Sequence, residues 1–359
     1  MAFNEWMFVY NARGLNNDQI LQTRVNRVSE VQACIRCLRE RGENAFVWGA
    51  RGVGKTFLLR LIASELSTDA TILPVWVDVF ATARVGSPAP STAFPESVLL
   101  ATCAEIWRSL IKKPYSSLRA CLDLREGDIR RRSPLEKVVE TVYSRVMSSQ
   151  RKAHYQYENS VGFSAGAKGE KKETGWVEQE QPPIMPFEFL EFSNELARAL
   201  IDVGKERVIA TCDEANLLPI DEQAALLSHY LDLFNARGTQ FLFVAGTLPG
   251  DSEPPPIPDG FDLVLPLQGL APEACAELLQ KQASSLGYRI AEPAFAIAAE
   301  QTKGNPRLLL SLIPSVVEQN PTSIDIDLAS IEKACSQQDR KLRGNQAQLP
   351  RQRRQTRHG

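Results

Sequence analysis

A lysine and a threonine at 55 and 56 close a glycine-bearing run, Gly49-Ala50-Arg51-Gly52-Val53-Gly54-Lys55-Thr56. The apolar stretch Ala45-Phe46-Val47-Trp48 comes directly before it, and the helical pattern Phe57-Leu58-Leu59-Arg60-Leu61-Ile62-Ala63 directly after. A glycine-rich turn between a strand and a helix lets consecutive backbone N–H groups wrap a polyphosphate, and the helix N-terminus adds partial positive charge. In such a phosphate-binding loop Lys55 reaches the outer phosphates, Thr56 reaches a magnesium ion, and Phe57 completes the binding segment. The loop therefore predicts a nucleotide ligand. It predicts no more than that, because loops of this type occur in kinases, motors, switches and inert binding modules.

A second chemical pair lies far along the chain. Val208-Ile209-Ala210-Thr211-Cys212 is an apolar strand pattern that delivers Asp213 and Glu214 at its C-terminal edge, the edge at which open α/β sheets bind ligands. Beside a phosphate loop, Asp213 suits a magnesium ion held through water, and Glu214 suits orientation or deprotonation of an attacking water. Two acids that end a strand and solvate a loop are the plainer alternative. The run Phe241-Leu242-Phe243-Val244-Ala245 leads into Gly246-Thr247, which brings the Thr247 hydroxyl to the acidic edge if the two strands are neighbours; a threonine in an ordinary turn is the alternative there. Finally, Gly304-Asn305-Pro306-Arg307 reads as a helix start, with Asn305 as cap and Pro306 at the first position. That places Arg307 in the first turn, where a cation opposes the helix dipole by about 0.3–1 kcal/mol and is better matched by an anion such as a nucleotide phosphate.

These groups need a scaffold that aims them at one point. Strand patterns at 45–48, 71–80, 207–212, 241–245 and 262–266 alternate with helical patterns at 57–66, 96–112, 187–203 and 221–236. Such alternation predicts an α/β fold, a P-loop three-layer α/β/α parallel sheet with helices on both faces. After Leu270 the pattern turns to helices only, at 272–286, 292–301, 306–318 and roughly 325–338, so a small all-helical lid domain is expected to follow the sheet. An excursion from about Pro114 to Pro186 exceeds what a minimal nucleotide domain requires. One helix, Pro134 to Met147 with Ser133 as N-cap, is predicted inside it. Val161-Gly162-Phe163-Ser164-Ala165-Gly166-Ala167, with its period of two, reads either as a β-hairpin or as a loop. The domain plan is thus an N-terminal segment at 1–20, a nucleotide-binding domain at 21–270 with the inserted segment at about 114–186, the lid at 271–340, and a basic tail at 341–359.

The composition fits this plan. The chain has 359 residues, 43% of them hydrophobic, and no apolar run approaches the roughly 20 residues of a membrane span. The N-terminus has neither the basic start nor the apolar segment of a signal peptide, so a soluble cytoplasmic protein with no membrane partner is expected. Seven scattered cysteines read as reduced thiols, and Cys34 with Cys37 form a lone CxxC in a helical stretch with no second pair to complete a zinc site. Residues 339–359 carry seven Lys or Arg against one acid, leaving 34 basic and 42 acidic residues in the body. An acidic body with a basic tail is not the footprint of a protein coated in nucleic acid, although the tail Arg351-Gln352-Arg353-Arg354 could touch a phosphate backbone or serve only for solubility. The alternating aromatics Trp6, Phe8 and Tyr10 could dock on this body or on a neighbouring subunit.

Taken together, Gly49 to Thr56, Val208 to Glu214, Gly246-Thr247, Leu265-Pro266-Leu267 and Gly304 to Arg307 resemble the corresponding motifs of the AAA+ ATPases. The likeness is closest to the origin-recognition, signalling-ATPase and transposition-helper side of that superfamily and covers about 21–340 apart from the excursion. Val25-Asn26-Arg27-Val28-Ser29-Glu30-Val31 resembles the segment that lies beside the adenine in such proteins, which puts Arg27 among the nucleotide-binding residues. The resemblance implies ATP and Mg2+ as cofactors, Thr56 and Asp213 at the metal, and Lys55, Glu214, Thr247 and Arg307 as catalytic, with Thr247 and Arg307 as first and second sensors. It also implies a homo-oligomer. Two departures stand out. Leu248 to Phe261, where many relatives carry a trans-acting arginine finger, contains no Lys or Arg, and Arg237 is the nearest upstream candidate. No residues remain after the lid for the winged-helix DNA-binding domain usual in origin-recognition proteins.

Two functions follow from the resemblance. One is an ATP-binding and hydrolysing oligomeric switch, slow or partner-stimulated, acting on DNA or a DNA-processing partner in transposition, replication loading or defence against foreign DNA. The other is a signalling or scaffold ATPase that assembles with ATP and recruits a protein effector without binding DNA itself. A metabolic kinase is a third, weaker fit, since the lid with Gly304 to Arg307 suits an ATPase better.

Overall fold

The computed structural model describes residues 27–77, 90–120, 132–161, 186–215, 220–247, 255, 257–319 and 325–337. The N-terminal segment with its aromatics, residues 78–80 of the second strand pattern, the hairpin-or-loop at 162–167, residues 248–254 of the arginine-free stretch and the basic tail lie outside them.

Five strands form one parallel sheet: β1 Ala45–Ala50, β2 Ile72–Val77, β3 Arg207–Cys212, β4 Thr239–Thr247 and β5 Leu263–Pro266. Their order is β2-β3-β4-β1-β5, so the chain leaves β1, passes over two strand positions to β2, and works back. Every pairing is parallel, with Phe46 beside Phe243, Cys212 beside Phe243 and Trp48 beside Pro266. The alternation of side chains along a strand divides the core. Phe46, Val208, Ala210, Phe241 and Phe243 face one layer, while Ala45, Val47, Ile209, Leu242 and Val244 face the other.

The second of these layers is covered by α1 Val28–Ile35, which runs on as a π-helical turn Arg36–Arg41, and by α2 Lys55–Leu66. Cys34 and Cys37 are part of this packing, and burial pushes their thiols up to about 12 and about 11. The first layer is covered by α3 Pro90–Ser109, α5 Pro134–Val161, α6 Pro186–Ile201 and α7 Ile220–Asn235, with the short α4 Tyr115–Ala120 beside them. Its centre is a herringbone of rings: Phe94, Phe234, Phe241, Phe243 and Phe261 meet edge-to-face or tilted at centroid separations of 5.0–5.9 Å.

The excursion differs from the sequence reading. Among its described residues it holds two helices, where one is predicted, and α5 runs fourteen residues past Met147, to Val161. The start of α5 is fixed by a capping box, in which the Ser133 N–H donates to Glu136 Oε2 at 2.9 Å and the Glu136 N–H donates to Ser133 Oγ at 3.2 Å. Val139, Val142, Tyr143 and Val146 pack inward from it with Phe189, Phe192 and Leu196 of α6, so this part of the excursion thickens the helical layer over the sheet.

The lid contains α8 Pro272–Ser285, α9 Glu292–Thr302, α10 Pro306–Gln319 and a helix at 328–337, around a separate apolar cluster. It is not purely helical: Arg289–Ile290 and Asp325–Ile326 pair as a two-stranded parallel ladder that joins the loops after α8 and before the last helix. Two-residue strands carry no readable alternation, which is why the pattern hides them. The junction between sheet and lid is tight. Leu270 N–H donates to Gly304 O at 2.7 Å, and a Cβ on Gly304 would lie 2.2 Å from Leu270 O, so only glycine fits.

Candidate nucleotide site

The loop between β1 and α2 is shaped by backbone that only glycine adopts readily: Gly52 and Gly54 have φ of +92° and +98°. All six carbonyls from Gly49 to Gly54 accept hydrogen bonds. Lys55 Nζ donates to Gly49 O at 2.8 Å and to Ala50 O at 2.9 Å. Asn305 Nδ2 donates to Arg51 O at 2.9 Å, the Arg307 N–H to Gly52 O at 3.3 Å, and an Arg27 guanidinium nitrogen to Val53 O at 3.1 Å. Gly54 O accepts the first bond of α2, from the Leu58 N–H at 2.9 Å. Because each peptide unit is planar and trans, carbonyls held away on one side turn the following N–H groups to the other. The N–H groups of Lys55, Thr56 and Phe57 precede the first intrahelical bond and are the donors that a helix start offers an anion.

Positive charge gathers at the same place. Burial is the largest influence on Lys55 and brings its ammonium down to about 8; Asp213 and Glu214 act in the opposite sense, while Arg307 and Arg51 add to the lowering. A lysine held below its ordinary range by burial and by two neighbouring cations is a centre that gains from an anion.

The acids arrive as the strand order requires. β3 and β4 are neighbours, and β4 in turn neighbours β1, so Thr247 lies in register with Ala50 at the mouth of the loop. Asp213 is buried at the end of β3. Its Oδ2 accepts the Thr56 hydroxyl at 2.9 Å, and its Oδ1 accepts the Glu214 N–H at 3.0 Å. Glu214 has φ of +59°, a left-handed conformation unusual for a glutamate, and it turns the chain sharply off the sheet. Hence Lys55, Thr56, Asp213 and Glu214, separated by 157 positions between Thr56 and Asp213, share one edge of the sheet.

Arg307 lies exposed in the first turn of α10, above the loop. Asn305 caps that helix, its Oδ1 accepting the N–H groups of Arg307 at 3.1 Å and Leu308 at 3.3 Å. Arg27 is only 6% exposed, and its guanidinium is engaged by protein groups: Val53 O, Gln268 O at 2.7 Å, and Glu30 Oε1 at 2.7 Å. It thus supports the loop from beneath and ties it to the segment entering the lid. The family resemblance puts Arg27 near the nucleotide and gives none of these partners; the Arg27-x-x-Glu30 spacing at the head of a helix is the signal that the sequence carries for one of them. Arg237 is at the opposite edge of the sheet, just before β4, where its Nε donates to Asn194 Oδ1 at 2.8 Å and a terminal nitrogen to Leu233 O at 2.6 Å. Among the described residues, no group of three or more His, Cys, Asp or Glu side chains could hold a metal by itself, and no helix is long and apolar enough to cross a membrane. The Thr56 hydroxyl and Asp213 carboxylate still provide the oxygen donors that suit a magnesium ion shared with phosphates.

Comparison with known proteins places the fold. No protein-family model matches the chain, and no curated protein matches it in sequence. Among solved structures it is similar to a Walker-type ATPase of Pyrococcus abyssi, at 13% identity and a TM-score of 0.51 over 92% of this chain and 76% of that one. Weaker likenesses are to the Orc1 protein of Aeropyrum pernix in complex with DNA, at 14% identity and a TM-score of 0.46 over 89% of this chain and 67% of that one, and to domain III of the replication initiation protein DnaA of Thermotoga maritima, at 13% identity and a TM-score of 0.41 over 89% and 96%.

Proposed function

We propose that this chain, which has the AAA+ P-loop fold, binds and hydrolyses ATP and uses the nucleotide to control its assembly and its hold on a partner. The observation that carries the reading is the loop itself, whose six carbonyls are held by Lys55, Asn305, Arg307, Arg27 and the first turn of α2, and whose helix-start donors stand beside the Thr56–Asp213 pair. A chance glycine turn has no reason to place a buried acid against the hydroxyl at its helix start.

In this reading the N–H groups at the head of α2 and the Lys55 ammonium bind the phosphate chain. Lys55 leaves two carbonyls to do so and recovers a charge-assisted bond. Thr56 and Asp213 would hold a magnesium ion, which neutralises charge that develops on the phosphates. Glu214 accepts a proton from the attacking water or orients it, at a backbone position set by its turn off β3. Thr247 senses the far end of the phosphate chain, and Arg307 reports it to α10 and the lid. The nucleotide domain at 21–270 and the lid at 271–340 then act as the two moving parts.

The partner is read from charge. The arginines of the basic tail, and not the acidic body, support contact with a DNA backbone, as a switch acting on DNA or on a DNA-processing protein. The second reading, a scaffold ATPase that assembles with ATP and recruits an effector, is favoured by one observation. The arginine nearest upstream of the arginine-free stretch is tied down at the far edge of the sheet, which suits slow hydrolysis and a long-lived state.

The test is turnover and nucleotide binding by wild type, Lys55→Ala and Glu214→Gln, with mass measured with and without ATP and with DNA added over a salt series. Loss of binding in the first variant and ATP retained without hydrolysis in the second support the site; equal turnover in all three refutes it. ATP-dependent DNA binding that weakens with salt selects the first partner reading, and ATP-dependent assembly with no DNA binding selects the second.

A further inference from the structure

Asn305 makes two kinds of contact that a helix cap does not need together. Its Oδ1 caps α10 in the ordinary way, while its Nδ2 leaves the lid and donates to Arg51 O at the apex of the phosphate loop, 254 positions away in sequence. The fit is close enough that a Cβ on Gly52 would stand 2.6 Å from Asn305 Oδ1 and 3.1 Å from Arg307 Cβ. The neighbouring bond, from the Arg307 N–H to Gly52 O, repeats the same lid-to-loop link through backbone. Both links end on loop carbonyls and leave the helix-start N–H groups unused, so they are compatible with an anion in the loop.

We propose that Asn305 is a positioning residue that couples the lid to the phosphate loop, so that the rate at which a bound nucleotide leaves is set partly by the Asn305 side-chain amide. The inference rests on the loop being a nucleotide site, as proposed above. The amide is suited to this in a way the other capping residues are not. Serine and aspartate cap a helix as well as asparagine does, but an aspartate has no N–H to give to Arg51 O, and a serine has one short hydroxyl, whose oxygen accepts the cap bonds, with no second polar branch to extend to Arg51 O. While this hydrogen bond is made, the lid cannot lift without either breaking it or dragging the apex of the loop. Arg27 performs the complementary service at the hinge, bonding both Val53 O and Gln268 O, so the loop is held at its apex by the lid and at its base by the segment that leads into it.

The test uses the full chain carrying Asn305→Asp or Asn305→Ser, with Asn305→Ala as the variant that loses cap and link together. Two quantities are read: dissociation of a fluorescent ADP analogue by stopped flow, and backbone hydrogen exchange of peptides covering 49–57 in nucleotide-free protein. Asp and Ser keep the cap and lose the link alone, so they are expected to lower the melting temperature less than Ala does. They should also raise exchange across 49–57 and speed release of the analogue about three- to ten-fold, the effect of one lost neutral hydrogen bond. Faster exchange with unchanged release would overturn the coupling while leaving the contact; unchanged exchange would overturn the contact itself. If wild type and Lys55→Ala both fail to bind the analogue, the nucleotide reading fails instead, and the exchange result still decides whether Asn305 holds the loop.

Discussion

Replacing Lys55 with methionine tests the electrostatics of the site more sharply than removing it. Burial lowers the Lys55 ammonium from an ordinary 10.5 to about 8 in the folded chain. Between those two values the unfolded chain holds a proton that the folded chain has released, so folding stability rises as pH rises through that window. Below about pH 8 both states are charged and the whole cost of the buried cation is present. At about 1.4 kcal/mol for each pH unit the ceiling is roughly 3 kcal/mol, and solvent at the mouth of the loop reduces the expectation to about 1–2 kcal/mol. Methionine keeps a stem of similar length without the charge, and it gives up the two bonds to Gly49 O and Ala50 O, a loss of about 1 kcal/mol each. The two effects nearly offset at pH 7, so the absolute stabilities should be similar there. The signature is in the slope: measured by urea unfolding from pH 7 to pH 10, wild type should gain about 1–2 kcal/mol relative to Lys55→Met. Taking the difference removes contributions from tyrosines and thiols common to both proteins. In parallel, wild-type affinity for ATP should fall as the pH rises above that of Lys55 deprotonation, and Lys55→Met should bind at least about 100-fold more weakly at neutral pH. A difference in stability that stays flat over this range would refute the assignment of a buried, cation-flanked amine to this position.

Other outcomes follow from the geometry. Gly52→Ala forces a Cβ to 2.6 Å from Asn305 Oδ1 at a φ of +92°, so it should displace the lid and cost roughly 1–3 kcal/mol, visible as a lowered melting point together with weakened nucleotide binding. Glu214→Gln should bind ATP with near wild-type affinity and form ADP about 100- to 10,000-fold more slowly in a product assay. Phe241→Ala removes the ring at the centre of the aromatic layer, and chemical denaturation should record a loss of about 3–5 kcal/mol with the loop's chemistry otherwise intact.

Much of the sheet was legible because its causes are local. Short β-rich apolar runs marked all five strands, and β1 and β4 extended the readings by only a few residues. The N-cap Ser133 followed from its neighbours, and the structure adds Glu136 as the reciprocal partner. The far end of α5 was not legible, since the residues from 148 to 161 are polar and carry no apolar period strong enough to mark a helix. The ladder of Arg289–Ile290 with Asp325–Ile326 escaped for a different reason, as two residues cannot display an alternation.

The site divides along the same line. By itself the sequence determined the loop and the helix start after it, because positive φ at Gly52 and Gly54 and the orphan donors of a helix are properties of a few consecutive residues. It also determined that two acids end a strand. Only the tertiary structure decided that this strand lies one position from β4 and two from β1, which is what brings Asp213 Oδ2 within 2.9 Å of Thr56. It alone decided which groups hold the loop's carbonyls, since Arg27, Asn305 and the Arg307 N–H reach them from the far ends of the domain and the lid. A hydrogen bond across 254 positions leaves no periodicity or spacing in the chain. It exists because the sheet order and the glycine contact at Leu270 and Gly304 dock the lid where it sits.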